Sequence, residues 1–571
     1  MANIKYETIK DIVLNKFLEH NEKIAIMDRG INTEEFECYS YARLREDILA
    51  LGTALNNILK VEDEKVAIIG ENSYRWITTY LATTSGVGVV VPLDKELPAN
   101  EILNLLKRSN CKTIVYSSKK KEVIDEVRNK LKEDIKFINM DIYKHTKEEY
   151  SLNELINEGK KLINDGVDNY INKKIDKDKF AILLFTSGTT AVSKGVMLSN
   201  ANVVSNAITI DETYPEVSSS NVISFLPLHH TYELTVTYLA GLFGGGKIGV
   251  SRGLKYLVKD LEIIKPVTFC MVPLLLENLR KKIEKGIRTQ NKENAVKAIK
   301  TVTNTLGKLK IDVRRNVFKS IHSMFGGELK YLILSGAPSD KETIEVMESF
   351  GFIIIQGYGL TETSPLVSAT RINNRKAGTV GYSIKDVDVR IDLKADEEEN
   401  SGEILVRGPN IMLGYYENEE ETKKVLKKNW FYTGDIGYFD NKGNLVISGR
   451  CKNIIVTNNG KNIYPEEIES LINRIPLVYE SLVYGDGENS NLEIKAKIIL
   501  DEEYLKEKYG ENIPTNEELY KILWEDVKKI NQKLISYKVV KDIEIENEGF
   551  EKTTTMKIKR NKVLEKSKKA K

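Results

Sequence analysis

Short apolar runs alternate with stretches of helical period through the first three quarters of this chain. Lys65–Ile69, Thr113–Tyr116, Val222–Leu226, Tyr331–Leu334 and Phe352–Gln356 read as buried strands. Between them, Glu101–Arg108 and Lys341–Ser349 place apolar residues at helical spacing. That alternation predicts an α/β architecture with substantial parallel sheet. Glu277–Ser323 is long, polar and Lys-rich with helical period, and predicts surface helices. The longest uncharged stretch, Trp76–Leu93, has the length of a membrane span. Its hydroxyl residues, its two glycines and Pro92 predict instead a buried helix running into a strand at Gly86–Val91.

After about Asp386 the texture changes. Val387–Ile391, Gly402–Arg407 and Asn444–Ser448 are short β-type runs separated by Gly and Asn-containing turns, which predicts a β-rich subdomain. The remainder reads as strand Asn453–Thr457, helix Pro465–Ile475, strands Tyr479–Tyr484 and Leu492–Leu500, helix Asn516–Leu534 and strand Val539–Ile545. This is a small α+β domain, with its boundary near Gly449–Lys452. The expected fold is α/β: a large N-terminal domain, residues 1–449, with parallel sheets and a β-rich subdomain, followed by a small α+β domain, residues 453–571.

Bulk composition narrows the class. A chain of 571 residues exceeds one hydrophobic core. Hydrophobic residues at 41% and charged residues at 29% are ordinary for a globular protein. A net charge of +2 gives no overall field that would favour nucleic acid. The Lys-rich end, Lys557–Lys571, is a local exception, expected as a solvated helix end or frayed tail, with peripheral contact to an anionic membrane as the secondary possibility. Cys38, Cys111, Cys270 and Cys451 lie far apart, without zinc or disulfide spacing, which points to a reducing cytoplasm. Met1–Glu7 lacks the charged-then-apolar pattern of a signal peptide.

The densest chemistry follows the apolar run Ala181–Phe185: Thr186, Ser187, Gly188, Thr189 and Thr190, then Lys194. Hydroxyls and backbone N–H groups closed by an ammonium suit a polyphosphate; Gly188 lets the backbone approach, and the N–H groups can form an anion nest. The plain alternative is a Ser/Thr-rich turn with a solvated lysine. Gln356–Thr363 follows a strand; Gly357 and Gly359 permit a tight backbone around Tyr358, whose ring can stack on a purine, and Glu362 can hold a hard cation through oxygen. It fails as a dinucleotide fingerprint because Glu362 stands at the third glycine position. Trp430–Asp435 ends in a carboxylate able to accept two ribose hydroxyls, or is a turn aspartate. Gly449–Glu469 puts Arg450 and Lys452 at the domain boundary, and Lys552–Arg560 is a basic strand or loop. Taken singly, each is better explained as solvated surface than as a site. Gly241–Ile248 has Walker-type spacing up to Lys247, but Ile248 replaces the magnesium-binding hydroxyl, so a Gly-rich turn between buried segments is expected.

In this order and spacing the set resembles the adenylate-forming superfamily of acyl-CoA synthetases, peptide-synthetase adenylation domains and luciferases. It is most similar to long-chain fatty acid–CoA ligases, through Leu226–Glu233, Ser335–Pro338, Thr361–Pro365 and Asn462–Ile468. The resemblance implies a hinge at 450–452, centred on Lys452, and a mobile C-terminal domain. It implies ATP, Mg²⁺ and CoA as cofactors and co-substrates. Thr186 to Thr190 and Lys194 would grip the β- and γ-phosphates, and Thr186 and Glu362 would hold Mg²⁺. Ala337, Pro338 and Gln356, Gly357 and Tyr358 would frame adenine; Asp435 and Arg450 would bind ribose. Thr361 would contact the α-phosphate, Lys557 would reach in from the C-terminal domain, and His230 would lie between acyl and pantetheine channels. Rotation at Lys452 would exchange Lys557 for the Asn458–Gly460 loop.

The sequence departs from the family pattern at Met556, where glycine is usual before the terminal lysine, and at Asn453, where an acidic residue commonly follows the hinge lysine. The expected activity is conversion of a medium- to long-chain fatty acid to acyl-AMP and then to acyl-CoA. The alternatives are transfer to an acyl carrier protein, or a non-catalytic nucleotide- or acyl-binding protein of the same fold. Amino-acid adenylation is disfavoured because His229 and His230 stand where the resembling peptide-forming domains place an aspartate.

Overall fold

The computed structural model describes residues 5–31, 33–131, 135–186, 193–308, 312–337, 339–393, 401–457, 461–487, 492–552 and 558–570. Two compact units divide them: residues 1–388 with 406–431, and residues 389–405 with 432–571.

The first unit contains two large sheets. In the nine-stranded sheet the strands run in the order Tyr382–Ser383, Leu366–Ala369, Ile353–Gly359, Tyr331–Leu334, Thr268–Met271, Asn221–Ser224, Lys247–Val250, Ile24–Arg29 and Phe36–Ser40. The six from Ile353–Gly359 to Ile24–Arg29 pair in parallel. The eight-stranded sheet runs Gly414–Tyr415, Lys194–Ser199, Phe180–Thr186, Gly88–Leu93, Glu64–Ile69, Thr113–Tyr116, Lys136–Asn139 and Tyr150–Ser151. Parallel pairing extends from Phe180–Thr186 to Tyr150–Ser151. Such strands are buried on both faces and therefore read as continuous apolar runs; Ile333, Leu334, Ile114 and Val115 are all in the core. Asn72, just past Glu64–Ile69, joins the sheets: its amide donates to Ser224 Oγ (2.9 Å) and Leu226 O (2.7 Å) and accepts from Leu228 N (3.1 Å).

The uncharged stretch 76–93 is the expected buried helix and strand, Tyr74–Ala82 leading through a π turn into Gly88–Leu93. Gly241–Ile248 is the expected turn, with Gly245 at φ +76° between helix Ala240–Phe243 and strand Lys247–Val250. Helices Pro273–Thr289, Glu293–Lys308, Arg314–Val317 and Lys319–Ser323 occupy the Lys-rich segment. No helix among the described residues is long and apolar enough to cross a membrane.

In the second unit, Leu445–Arg450 pairs antiparallel with Trp430–Phe439. Strands Val478–Asp486, Glu493–Leu500 and Val540–Glu546 form a three-stranded sheet. Helices Pro465–Ile472 and Asn516–Asn531 pack on it through Ile468, Ile472, Leu519, Leu523 and Val527. Helix Glu502–Tyr509, which the sequence pattern did not predict, caps on Asp501, whose side chain accepts from Tyr504 N. The basic end is the helix Arg560–Ala570.

Candidate active site

Thr186 and Lys194 are placed by a hairpin. Thr186 ends one strand, Lys194 opens the next, and the two are direct partners in the antiparallel register. Ser187, Gly188, Thr189 and Thr190 lie outside the described residues. Both flanks of that loop meet Arg108, on helix Ala99–Ser109, which sequence reasoning missed. Its guanidinium donates to Ser193 Oγ (3.1 Å) and Ser193 O (2.9 Å) and stands 5.3 Å from the Phe185 ring centroid.

The segment Met412–Tyr416 stitches this hairpin to the Glu362 turn. Leu413 N donates to Met197 O (2.9 Å) and Tyr416 N to Gly195 O (2.7 Å). Met412 N donates to Glu362 O (2.9 Å). Glu362 sits in the short turn Thr361–Thr363, immediately after Ile353–Gly359. The chain doubles back there so closely that a Cβ on Gly359 would stand 1.8 Å from Pro365 O. The Tyr415 hydroxyl donates to Glu362 Oε1 (2.9 Å). Lys194 Nζ lies 4.7 Å from the centroid of the Tyr415 ring and pairs with Glu421 at 2.5 Å. The Lys194 ammonium, with Lys424 beside it, holds the Glu421 carboxyl down at about 2. Burial, with Glu362 adjacent, raises the Tyr415 phenol well above its ordinary range.

Ala337, Gln356, Gly357, Tyr358, Thr361, Glu362 and His230 all lie at or beyond the carboxyl ends of strands in one parallel array, the edge at which open α/β sheets bind ligands. Ala337 is exposed three residues past the end of strand Tyr331–Leu334, and Pro338 lies outside the described residues. Gln356 and Tyr358 are buried; Gln356 Nε2 donates to Lys376 O (3.4 Å). His230 is half-buried, its ring 4.1 Å from that of His229. Burial pushes His229 down to about 3, so it stays neutral. The segment is anchored beneath by Tyr232, donating to Ile333 O (2.8 Å), and by buried Glu233. Glu233 accepts from Phe225 N (3.2 Å) and Thr237 Oγ1 (3.1 Å), and burial pushes its carboxyl up to about 8.

In the second unit, Asp435 and Arg450 face each other across an antiparallel pair, Arg450 Nε to Asp435 Oδ1 at 3.0 Å. Asp435 is buried and follows Gly434, whose φ of +73° makes the turn. Lys452 is exposed in the turn Cys451–Asn453, and Asn453 donates to Glu466 Oε1 (2.5 Å). Gly460 and Lys557 lie outside the described residues, as do Asn458, Asn459 and Met556. The described flanks of Lys557 are tied down. Lys552 pairs with Glu480 at 2.9 Å and bridges Ile558 through its backbone; Arg560 donates to Val483 O (3.0 Å) and to Glu469, whose carboxyl burial raises to about 7.

A hard divalent cation fits the residues present. Thr186 and Glu362 offer oxygen, and Tyr415 engages Oε1 of Glu362 and not Oε2. Among the described residues no three His, Cys, Asp or Glu side chains gather as a metal cage. One carboxylate completed by phosphate and water oxygens is the Mg²⁺ habit.

The AMP-binding enzyme family matches residues 16–416, and the AMP-binding enzyme C-terminal domain matches residues 452–570. The chain belongs to the AMP-binding enzyme family. It is similar to long-chain-fatty-acid–CoA ligase 5 of Rattus norvegicus, at 27% identity over 97% of this chain and 88% of that one. It is also similar to the chloroplastic long-chain-fatty-acid–[acyl-carrier-protein] ligase AEE15 of Arabidopsis thaliana, at 26% identity over 85% of this chain and 75% of that one. Among solved structures, the anthranilate CoA ligase AuaEII with anthranoyl-AMP superposes with a TM-score of 0.78 at 17% identity, covering 99% of this chain and 98% of that one. ATP-bound MatB from Rhodopseudomonas palustris gives 0.76 at 23% identity, covering 99% of each.

Proposed function

We propose that this AMP-forming acid–CoA ligase acts on a medium- to long-chain fatty acid, forming acyl-AMP and pyrophosphate from ATP and then acyl-CoA. The observation that carries the reading is the juxtaposition of Lys194 and Glu362 on one tyrosine, at the mouth of a Thr-bearing hairpin. A carboxylate substrate and a triphosphate repel each other. Thr186 and Lys194 would bind the β- and γ-phosphates, and Lys194 would offset charge as pyrophosphate departs. Mg²⁺, held by Thr186 and Glu362, would supply further neutralisation of the triphosphate. Thr361 would orient the α-phosphate, with Ala337, Pro338 and Gln356 to Tyr358 framing adenine. Asp435 would accept from the ribose hydroxyls while Arg450 fixes its second oxygen. Lys557, by motif position, would bridge the acid and the α-phosphate in the transition state, where a preorganised cation has its largest effect.

The fatty acid and CoA are supported by the names of the relatives. The acyl carrier protein ligase among them supports a carrier-protein acceptor as the second reading. The domain assignment (1–449, hinge 450–452, 453–571) and a rotation at Lys452 that exchanges Lys557 for the loop at Gly460 are part of the proposal, as is His230 between the acyl and thiol channels. The cytoplasm is proposed on the scattered, unbridged cysteines.

The test is pyrophosphate release over a panel of acids, with CoA, with acyl carrier protein and with neither. Release with fatty acids and thioester formation with CoA is the expected result. A thioester with the carrier protein alone moves the acceptor; release without thioester reduces the function to adenylation; no release with any acid leaves a binding protein.

A further inference from the structure

We propose that Tyr415 is a positioning residue for the phosphate and metal end of the site: its ring keeps Lys194 and Glu362 from pairing with each other, and its hydroxyl aims Glu362. The inference rests on the functional reading above and adds a residue to it.

An ammonium and a carboxylate brought to the same partly dry cradle tend to close into an ion pair, and the carboxylate is then lost to an incoming cation. Lys194 and Glu362 share such a cradle, because the strand Lys194–Ser199 packs against the turn Thr361–Thr363. They do not pair. The Lys194 ammonium sits over the Tyr415 ring, 4.7 Å from its centroid, and takes Glu421 as its counterion at 2.5 Å. Glu362 takes the hydroxyl of the same tyrosine on Oε1, at 2.9 Å. One side chain therefore serves both charges, the cation through its face and the carboxylate through its hydroxyl, which engages Oε1 of Glu362 and leaves Oε2 out of that hydrogen bond.

The tyrosine is itself fixed. It is 6% exposed. Its backbone is Cα partner to Val196 on the hairpin strand. Its N–H donates to Thr422 Oγ1 (2.9 Å), and Gly414 before it leaves that threonine room: a Cβ there would stand 2.9 Å from Thr422 Cγ2. The ring therefore cannot follow either charge, as a spacer must not.

The experiment titrates Mg²⁺ in ATP-dependent pyrophosphate release, and repeats the titration as heat of ATP binding without acid. Tyr415→Phe keeps the ring and loses the hydroxyl. Loss of one hydrogen bond to a charged group should raise the Mg²⁺ midpoint about tenfold while KM for ATP at saturating Mg²⁺ changes less than about twofold. Tyr415→Leu removes the spacer as well and should also raise KM for ATP. The two roles separate in a double-mutant cycle, because in a Glu362→Gln background Tyr415→Phe should no longer move the midpoint. An unmoved midpoint in Tyr415→Phe, or full additivity with Glu362→Gln, overturns the proposal for Tyr415 while the site stands. If Glu362→Gln itself leaves the midpoint unmoved, the site reading falls and this inference with it. Should Tyr415→Leu not fold, Tyr415→Phe and the cycle still decide.

Discussion

Replacing Glu421 by glutamine should tighten ATP binding. Lys194 is engaged by Glu421 at 2.5 Å, with side-chain exposures of 18% and 30%. A triphosphate that takes Lys194 must first separate that pair. Partly shielded surface pairs lie at the upper end of the measured range, about 1 kcal/mol. Removing the competitor therefore lowers KM for ATP by about fivefold, taking 1.4 kcal/mol as tenfold. The fold should tolerate the change. Asn418 caps the helix by accepting from the Glu421 backbone N–H, and Lys424 keeps Glu420 at 2.8 Å. Losing one of three acids in the first turn costs at most about 1 kcal/mol. The assay is pyrophosphate release with saturating acid and varied ATP, at low and at high salt, with the unfolding transition checked in parallel. The gain should shrink at high salt, because screening already weakens the pair in the parent. A KM for ATP that is unchanged or higher in a folded Glu421→Gln enzyme would refute the competition and show that Glu421 instead holds Lys194 in its working position.

Three further outcomes follow from the same geometry. Lys557→Ala should slow pyrophosphate release by on the order of 10²–10³-fold, with KM for ATP little changed, since its contact is assigned to the transition state; equal rates would remove that assignment. Asp435→Asn should raise KM for ATP by about tenfold, as a charged acceptor is lost and Arg450 loses its 3.0 Å partner; substrate kinetics with ATP against 2′-deoxy-ATP checks it, since the variant should discriminate less between them. Glu233 titrates at about 8 in the fold, against its ordinary 4.5, because burial disfavours the charge. The folded state therefore holds the extra proton in that window, and stability falls as pH rises through it, by at most about 1.4 kcal/mol per pH unit. Glu233→Gln should flatten this slope in thermal melts recorded across the window, and a parallel pH dependence in parent and variant would contradict it.

The fold was legible where elements bury themselves on both faces. Thr113–Tyr116 and Tyr331–Leu334 fall on the predicted residues, because an interior parallel strand has nothing to be but apolar. Helix Lys341–Ser349 does too, since its N-cap Asp340 and its period coincide. Edges were less legible. The strand read at Asn453–Thr457 is only Ile455–Val456, a two-stranded ribbon with Asn462–Ile463, too short to impose a period. Helix Glu502–Tyr509 escaped notice because it is mostly polar and buries only Leu505.

The candidate site divides along a different line. Residues proposed to carry chemistry in a local string, Thr186 with Lys194 and Thr361 with Glu362, can be read from the string. Residues whose role is to hold another cannot. Lys194 meets Glu421 across 227 positions, Ser193 meets Arg108 across 85, and Glu362 meets Tyr415 across 53. Nothing local marks such a partner. Glu421 is one of three consecutive glutamates at the start of a short helix, and alone it reads as favourable placement at a helix N-terminus. Tyr415 offers a faint signal, since Gly414 at φ +143° and Thr422 at a fixed offset mark a backbone held in place. A single sequence thus displays candidate ligand-binding groups, because ligand chemistry restricts residue type over short spacing. It hides those that orient them, because orientation is a property of two elements meeting, and only the folded register of Lys194–Ser199 against Gly414–Tyr415 brings these two together.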